Sequence, residues 1–316
     1  MWRQRDTTRF VVGANLPWIG YGTDVGASAW FPDGGLSARP DAMQRLDRAL
    51  GSLADDGLHV VRTFLLCDAR SGVLTDAEGR PAGIDAAVLP DIEALLGAAD
   101  RRGVSILPVL VDFHLCKPAR IIDSVQLGGR SSWIESPDSR AAFVDRVIQP
   151  MAATFGTHPA IAAWDVMNEP EWCLGGGPVP RRSRVKPDAL GSFLQQLVQC
   201  IRANSGQPVT VGCAGTWRLD LVRPLGLDFY EVHWYERFGW PALTRPVAEL
   251  GLDDRPIILG EFSGRAAVTA VLDAAAGAGY EGAFVWSVLS EDAASTYPPA
   301  IAEWVRAHAP DDRRDG

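Results

Sequence analysis

Eight short apolar or β-branched runs recur along the chain, and amphipathic stretches of helical spacing separate most of them. The runs are Phe10–Asn15, His59–Leu66, Ser105–Phe113, Ala160–Asn168, Val209–Cys213, Phe229–Trp234, Ile257–Glu261 and Gly282–Val288. The amphipathic stretches are Pro40–Asp56, Leu89–Arg102, Ser136–Phe155, Asp188–Asn204 and Ala266–Ala276. Strands that alternate with helices form parallel sheets through right-handed crossovers. The pattern therefore predicts an α/β protein with a closed (β/α)8 TIM barrel.

An open, doubly wound sheet is the alternative architecture for the same pattern. Its dinucleotide-binding forms carry a G-x-G-x-x-G turn that opens a helix after the first strand. Here the first predicted strand continues into NLPWIGYGTD, which opens no helix. No linker or internal repeat divides the chain, so residues 1–309 are predicted to form a single barrel domain. The tail Pro310–Gly316 is expected to be frayed.

Composition and charge exclude several classes of partner. With 30 basic and 39 acidic side chains the formal charge is −9, which disfavours nucleic acid and anionic membranes. No run of about 18 apolar residues predicts a membrane span. The N-terminal MWRQRDTTRF lacks the apolar segment of a secretory signal. These features predict a cytoplasmic protein and leave its oligomeric state open.

The cysteines do not form a structural framework. Cys67, Cys116, Cys173, Cys200 and Cys213 are odd in number and contain no C-x-x-C pair, which excludes a disulfide scaffold and disfavours a zinc ribbon. Three of them follow predicted strands two, three and four. We expect reduced thiols near the barrel mouth, with a disulfide between Cys116 and Cys173 as the alternative.

Polar and aromatic side chains close the predicted strands, and TIM barrels carry their active sites at the carboxyl ends of the strands. The closing residues are Asn15, Arg62, His114, Asn168, Glu169, His233, Tyr235, Glu261 and Trp286. Carboxylates transfer protons or attack, amides and imidazoles bind hydroxyl groups, and aromatic rings stack on sugars. The set predicts a carbohydrate substrate.

Three charges are unexpected in such apolar segments. Glu169 alone would suit a solvated loop, but it ends a strand and precedes Pro170, which favours an extended, restrained backbone. Glu261 ends the apolar PIILGEFS, and Arg62 lies within VVRTFLL, where an unpaired charge is costly. We predict that Arg62 pairs with a carboxylate, either for structure alone or to keep a nucleophile ionised.

Two histidines can be either core residues or site residues. His114 and His233 follow strands three and six, and His233 shares a strand face with Tyr235 and Glu231. Glu231 is the expected partner behind that face. No histidine or cysteine pair has the spacing of metal ligands, so neither a metal nor another cofactor is predicted.

The ordered residues resemble clan A of the glycoside hydrolases, and within it family 5, the cellulase and mannanase family. Asn168-Glu169-Pro170 after strand four and Glu261 in Gly-Glu-Phe after strand seven carry the resemblance. The supporting matches are Arg62, His114, His233, Tyr235 and Trp286. The tripeptide alone is a weak signal, whereas the ordered set covers nearly the whole chain.

The resemblance implies a role for each matching residue. Glu169 would be the general acid/base and Glu261 the nucleophile. Asn168 would bind the sugar 2-hydroxyl, Tyr235 would bind the nucleophile, and Arg62 would keep it ionised. The remaining matches would line the subsite beside the cleaved bond: His114, His233 and Trp286.

The implied mechanism retains the anomeric configuration, because two carboxylates about 5 Å apart leave no room for an attacking water. The charge of Glu261 and partial burial are expected to raise the pKa of Glu169 toward neutrality. Glu169 then acts first as an acid and later as a base. The resemblance also implies a cis peptide bond between Trp286 and Ser287.

Two long loops are expected to shape substrate binding. Leu16–Arg39 carries Trp18 among several aromatic residues and is either a pocket wall or a lid. Glu171–Lys186 carries Trp172 and a basic RRSR segment. Trp18 and Trp172 are therefore predicted substrate contacts.

The sequence predicts a retaining glycoside hydrolase that cleaves β-linked glucosides or mannosides. A small oligosaccharide or glycoside is favoured, because a polymer-degrading enzyme without an export signal would meet no polymer. A transglycosylase on the same scaffold and a sugar-binding barrel without catalysis are the alternatives. The sugar and the choice between exo and endo action are open.

Overall fold

A computed structural model describes residues 10–175, 179–181, 184–236, 243–251, 254–289 and 292–309. The strands are β1 (Val11–Asn15), β2 (Val60–Phe64), β3 (Val73–Thr75), β4 (Pro81–Ile84), β5 (Ser105–Val109), β6 (Arg120–Ile122), β7 (Val125–Leu127), β8 (Trp164–Asn168), β9 (Val209–Cys213), β10 (Tyr230–Trp234), β11 (Ile257–Ser263) and β12 (Gly282–Trp286). Eight of them form a closed parallel barrel in the order β1-β2-β5-β8-β9-β10-β11-β12. The predicted (β/α)8 fold is confirmed. The tail Pro310–Gly316 lies outside the described residues.

Helices follow most barrel strands. They are α1 (Pro40–Asp55), α2 (Val88–Arg101), α3 (Ser131–Glu135), α4 (Pro137–Phe143), α5 (Gln149–Phe155), α6 (Pro187–Asn204), α7 (Val268–Ala278) and α8 (Ala300–Ala307). The helix predicted over Ser136–Phe155 is interrupted by a π-helical turn at Val144–Ile148. Pro150 opens α5 at its first turn, where a missing backbone N–H is tolerated. None of the described helices is long and apolar enough to cross a membrane.

Some connections of the barrel depart from a regular βα unit. Between β9 and β10 the chain forms short 3₁₀ turns at Leu219–Leu221 and Arg223–Leu225 instead of an α-helix. Two small antiparallel hairpins, β3–β4 and β6–β7, extend from the loops that follow β2 and β5. Strand three, predicted to reach Phe113, ends at Val109 and gives way to a 3₁₀ turn at Phe113–Cys116.

Two apolar clusters place the site above a packed base. The larger cluster fills the space between the barrel and its helices. The second closes the amino-terminal part of the barrel and consists of Val60, Leu107, Ala162, Ala163, Phe229, Ile258 and Phe284. Above this second cluster the barrel interior is charged rather than apolar. A side chain at Gly212 would collide with those charged groups. A Cβ there would lie 2.6 Å from the Arg62 guanidinium.

Candidate active site

Arg62 is the centre of a buried charged layer inside the barrel. It is completely buried, and its guanidinium lies 2.7 Å from Asp165, 2.7 Å from Glu261 and 2.8 Å from Glu231. Two amide oxygens complete its contacts, those of Asn15 at 3.1 Å and Asn168 at 2.8 Å. The predicted pair between Arg62 and a carboxylate is therefore present, but as one of three. The charge of Arg62 alone does not balance the three carboxylates around it.

Asp165 is a member of this layer that sequence reasoning missed. It is completely buried in β8 and receives hydrogen bonds from Arg62 and from the Gly212 amide at 3.0 Å. Burial and the charge of Glu231 raise its pKa to about 6. A signal was available in AWDVMN, because a charge inside an apolar strand is as unexpected there as it is for Arg62.

Glu261 reaches the pocket from β11 and is held at both carboxylate oxygens. Arg62 donates to Oε1 at 2.7 Å, and the Tyr235 hydroxyl donates to Oε2 at 2.7 Å. Burial raises the pKa of Glu261, while the nearby charges of His233 and Arg62 act in the opposite direction. The carboxylate is thus fixed in orientation by groups that also favour its ionised form.

Glu169 leaves β8 with a left-handed backbone, φ 48° and ψ 50°. The prediction of an extended backbone before Pro170 is wrong. The Glu169 amide donates to the Gly212 carbonyl at 2.6 Å, and the chain then turns at once into a 3₁₀ helix that begins at Pro170. For a residue other than glycine this conformation costs about 1 kcal/mol or more. It aims the side chain at the pocket.

The Glu169 carboxylate is held by His233 and Trp172. Its Oε1 lies 2.9 Å from His233 Nδ1, and its Oε2 accepts a hydrogen bond from the Trp172 indole at 2.9 Å. Burial favours the neutral acid, but the hydrogen bond and charge of His233 outweigh it and lower the pKa of Glu169. The prediction of a raised pKa is wrong for the site in this structure, because that prediction took no account of His233.

His233 carries the proton that Glu169 lacks. Burial opposes its charge, but Glu261 and Glu169 together raise the pKa of the imidazole to about 10. Its Nδ1 lies 2.9 Å from Glu169 and 3.4 Å from Glu261. At neutral pH the imidazolium therefore bridges the two carboxylates.

The two glutamates lie close enough for direct attack on a sugar. One oxygen of Glu169, one of Glu261 and a ring nitrogen of His233 lie within 4.8 Å of one another. Such a trio could also surround a metal ion. The carboxylate oxygens of the trio already accept hydrogen bonds from protein groups: Trp172 donates to Glu169, and Tyr235 and Arg62 donate to Glu261.

A cavity of about 780 Å³ opens above these carboxylates at the carboxyl ends of the strands. Eight predicted site residues line it: Trp18, His114, Asn168, Glu169, Trp172, Tyr235, Glu261 and Trp286. Arg62 and His233 do not line it, being 0% and 1% exposed. The structure places these two one layer deeper, so their effect on a bound sugar passes through the glutamates.

Aromatic rings form one wall of the cavity. Trp18 packs edge-on against Trp286 at 5.8 Å, against Phe64 at 5.6 Å and against Tyr21 at 4.8 Å between ring centroids. The Trp286 indole donates to Asp292 at 2.7 Å, and the peptide bond that follows Trp286 is cis, as the resemblance implies. This wall offers both stacking surface and fixed orientation.

The first part of the loop from Leu16 to Arg39 forms a wall of the cavity, and its second part packs against the protein away from the cavity. Trp18 and Tyr21 face the cavity, whereas Phe31 lies under the Arg39 guanidinium, 4.4 Å from its ring centroid. In the second loop, Trp172 faces the cavity and packs on Trp217 at 5.6 Å. Residues 176–178 and 182–183 of that loop, with half of the RRSR segment, lie outside the described residues.

All five cysteines are free and buried. Burial raises the pKa of the Cys173 thiol, and the adjacent Cys116 thiol contributes in the same direction. The expected closeness of Cys116 and Cys173 is therefore present, with both residues in the reduced form.

Comparison with known proteins supports the resemblance inferred from the sequence. No protein-family model matches the chain. Mannan endo-1,4-beta-mannosidase of Mytilus edulis is 24% identical over 328 residues, covering 88% of this chain and 83% of the relative. The enzyme of the same name from Cryptopygus antarcticus is 23% identical over 336 residues, covering 91% and 83%.

A solved structure shares the fold over nearly the whole length. The endo-1,4-beta-mannanase of Eisenia fetida superposes with a TM-score of 0.76 at 23% identity, covering 94% of this chain and 90% of that chain. The charged layer, the paired glutamates and these relatives confirm the predicted resemblance. This chain is similar to the glycoside hydrolases of clan A, and within that clan it is most like the mannanases of family 5.

Proposed function

We propose that this chain hydrolyses β-1,4-mannosidic bonds with retention of configuration. The observation that carries the proposal is the pair Glu169 and Glu261, whose oxygens lie within 4.8 Å at the floor of an aromatic cavity. That separation matches direct nucleophilic attack and leaves no room for an intervening water. The mannanase relatives favour mannosides over glucosides.

In the first step a Glu261 oxygen attacks the anomeric carbon while the glycosidic carbon–oxygen bond breaks. Arg62 and Tyr235 hold the Glu261 carboxylate in place, so little orientational freedom is lost at the moment of attack. Attack converts the carboxylate into an ester and removes one negative charge from the buried layer. This relieves repulsion among the three carboxylates around Arg62.

Glu169 delivers the proton to the leaving oxygen, and His233 supplies that proton. The imidazolium Nδ1–H lies 2.9 Å from Glu169 Oε1, within reach of direct transfer. A bound sugar excludes water above Glu169 and so favours its neutral carboxylic acid. The proton then moves from His233 to Glu169. In the second step Glu169 takes a proton from the attacking water, and Glu261 is released as a carboxylate.

We propose endo action on chains of linked mannose, in contrast to the small glycoside favoured by the sequence. Both relatives are named as mannan endo-mannosidases. Three tryptophans that line the cavity, Trp18, Trp172 and Trp286, offer stacking surface beyond a single sugar ring. A cytoplasmic location remains a separate proposal, which fractionation of the native cells would test.

Rescue by azide of two variants tests the roles of the glutamates. We expect Glu169→Ala and Glu261→Ala each to lower kcat on mannotetraose by about 10³-fold or more. With an activated aryl β-mannoside and azide, Glu169→Ala should form the β-mannosyl azide and Glu261→Ala the α-mannosyl azide. NMR of the products distinguishes the two.

The exposed Glu236, which directly follows Tyr235, supplies a matched control. Glu236→Gln should keep the activity of the parent protein, and circular dichroism should show the same fold in all variants. If either alanine variant hydrolyses mannotetraose at the parent rate, the assignment of roles is wrong. Shortening of mannan mainly to mono-mannose from one end would contradict endo action.

A further inference from the structure

A directional chain of four polar groups forms the cavity wall beneath the β6–β7 hairpin. Lys117 Nζ lies 2.6 Å from His114 Nε2, and His114 Nδ1 lies 2.7 Å from the Tyr21 hydroxyl. That hydroxyl donates to Asp112 Oδ2 at 2.7 Å. Tyr21 comes from the loop after β1 and the other three from the loop after β5, and all four side chains line the cavity.

The chemistry of the end groups fixes the direction of every bond. An ammonium group only donates, so His114 Nε2 must accept from Lys117. His114 Nδ1 therefore carries the ring proton and donates to the Tyr21 oxygen, which leaves the Tyr21 O–H for Asp112. Burial and the Lys117 charge lower the pKa of His114, in agreement with a neutral ring.

Both ring nitrogens of His114 are thus occupied by protein groups. A sugar hydroxyl can reach neither nitrogen without displacing Lys117 or Tyr21. Lys117 uses one of its three N–H groups on His114, and two remain for a ligand. The polar group that this wall presents to the cavity is therefore the ammonium.

The charged neighbours of Lys117 are two carboxylates and an arginine, namely Asp112, Asp68 and Arg70. Asp68, Arg70, Asp112 and Arg120 all line the same cavity. Both carboxylates have their oxygens filled: Asp68 accepts from Arg70 at 2.8 and 3.0 Å, and Asp112 from the His114 amide and the Tyr21 hydroxyl. Asp68 and Asp112 are thus engaged by other protein groups rather than by Lys117.

We propose that Lys117, rather than His114, binds the substrate at this wall, and that it takes an anionic substituent of the sugar chain, a carboxylate or a phosphate. This inference rests on the proposed function and makes β-mannosides that carry an acidic group the preferred substrates. Arg120, on strand β6, is another cation that lines this cavity. Neutral mannosides remain substrates, because the glutamates do not depend on this contact.

Binding of non-hydrolysable sugars tests the proposal without turnover. The probes are thio-linked mannobiose and two derivatives in which one C6 is oxidised to a carboxylate or esterified with phosphate. Isothermal titration calorimetry on the intact protein should show about tenfold or tighter binding of at least one charged probe, since a charge-assisted hydrogen bond contributes that much. Which derivative binds tighter distinguishes a uronate from a sugar phosphate.

Two variants assign the preference to Lys117. Lys117→Met should reduce the preference for the charged probe to about twofold or less, and Lys117→Arg should restore most of it. The other lysine of the chain, Lys186, is exposed at the start of α6, so Lys186→Met should leave the preference unchanged. Equal binding of charged and neutral probes by the parent protein, or a preference that persists in Lys117→Met, would overturn the proposal.

Hydrolysis of neutral mannotetraose, measured in parallel, separates this inference from the proposed function. Hydrolysis without a charge preference rejects only the anion site. A charge preference that depends on Lys117, without hydrolysis of any β-mannoside, rejects only the catalytic proposal.

Discussion

His233 lies between two carboxylates, with its Nδ1 2.9 Å from Glu169 and 3.4 Å from Glu261. Its pKa, raised to about 10, means that the folded protein keeps this imidazole charged until the pH rises through that value. The Glu169 carboxylate beside it, the proposed acid/base, has a lowered pKa. The catalytic proton therefore belongs to the pair of His233 and Glu169 rather than to Glu169 alone.

Replacing His233 should move the alkaline limit of activity. In His233→Gln the proton is held by Glu169 alone, so the alkaline limb of kcat/KM should shift to lower pH by about 1 unit or more. We expect kcat at neutral pH to fall by about 10²-fold. Profiles on mannotetraose between pH 4 and 10 measure both effects.

The exposed His59 serves as the control for that experiment, because it lies at the opposite end of β2 from the cavity. His59→Gln should leave the profile unchanged. An alkaline limb in His233→Gln at the position of the parent protein would show that His233 does not hold the catalytic proton.

Single residues were predictable where a charge interrupted an apolar strand. Arg62 and Glu261 satisfied that rule and proved to be partners at 2.7 Å. Asp165 satisfied it equally but was overlooked beside the more conspicuous Asn168 and Glu169. The pKa of Glu169 was not predictable, because it depends on how closely His233 approaches from another strand.

At the scale of elements, one buried aspartate anchors the loop that carries the aromatic wall. Asp91, in the first turn of α2, accepts hydrogen bonds from the amides of Gly26 at 2.8 Å, Gly35 at 2.9 Å and Ser37 at 2.6 Å. The Ser37 hydroxyl adds a fourth at 2.5 Å. The loop thus depends on a helix outside the barrel for the position of Trp18.

Asp91→Asn keeps the size of the side chain and removes its charge. We expect it to lower the free energy of unfolding by about 2–3 kcal/mol, because an amide nitrogen replaces one acceptor and the remaining bonds are no longer charge-assisted. KM for mannotetraose should rise more than kcat falls, since Trp18 loses its support and the glutamates do not. Urea unfolding and steady-state kinetics measure the two effects.

Asp41→Asn in the first turn of α1 is the matched control, because Asp41 is exposed. It should change the free energy of unfolding by about 0.5 kcal/mol or less. Unchanged stability and KM in Asp91→Asn would mean that the loop holds its shape without the buried carboxylate.

Elements with a strong period were predictable from sequence, and short ones were not. The helix predicted over Pro40–Asp56 is α1 to within one residue, because its apolar face repeats every three to four positions. The β6–β7 hairpin has strands of three residues, and β6 is wholly exposed, so no alternating pattern marks it. Arg120 and Leu127 of that hairpin line the cavity together with Lys117, so this part of the site could not be predicted from the sequence.

At the scale of the whole molecule, burial of acids couples stability to pH. Asp165 and Glu171 have pKa values raised to about 6 and about 7, and His233 has one raised to about 10. A group whose pKa is raised on folding stabilises the fold at low pH and loses that contribution as the pH rises through the folded value. These three groups therefore make the protein less stable as the pH rises from about 4 to about 10.

Glu171→Gln isolates one part of this dependence. Glu171 is 1% exposed, and its pKa rises on folding from 4.5 to about 7 because of burial. Its contribution is complete below pH 4.5 and is lost as the pH rises through about 7. Relative to the parent protein, the variant should gain about 3 kcal/mol in unfolding free energy between pH 4.5 and pH 8.

Urea unfolding at those two pH values measures the gain, and the exposed Glu303 on α8 supplies the control. Glu303→Gln should follow the parent protein at both values. Parallel pH dependences for Glu171→Gln and the parent would show that Glu171 does not ionise inside the folded protein.

The indole of Trp172 gives the site an optical readout of its own. Its N–H donates to Glu169 at 2.9 Å, so the field at the ring changes when that carboxylate gains or loses a proton. The difference in tryptophan emission between the parent protein and Trp172→Phe would record that single protonation against the background of the other ten tryptophans. Fluorescence can then give a titration curve for Glu169, the proposed acid/base, without substrate and without isotopic labelling.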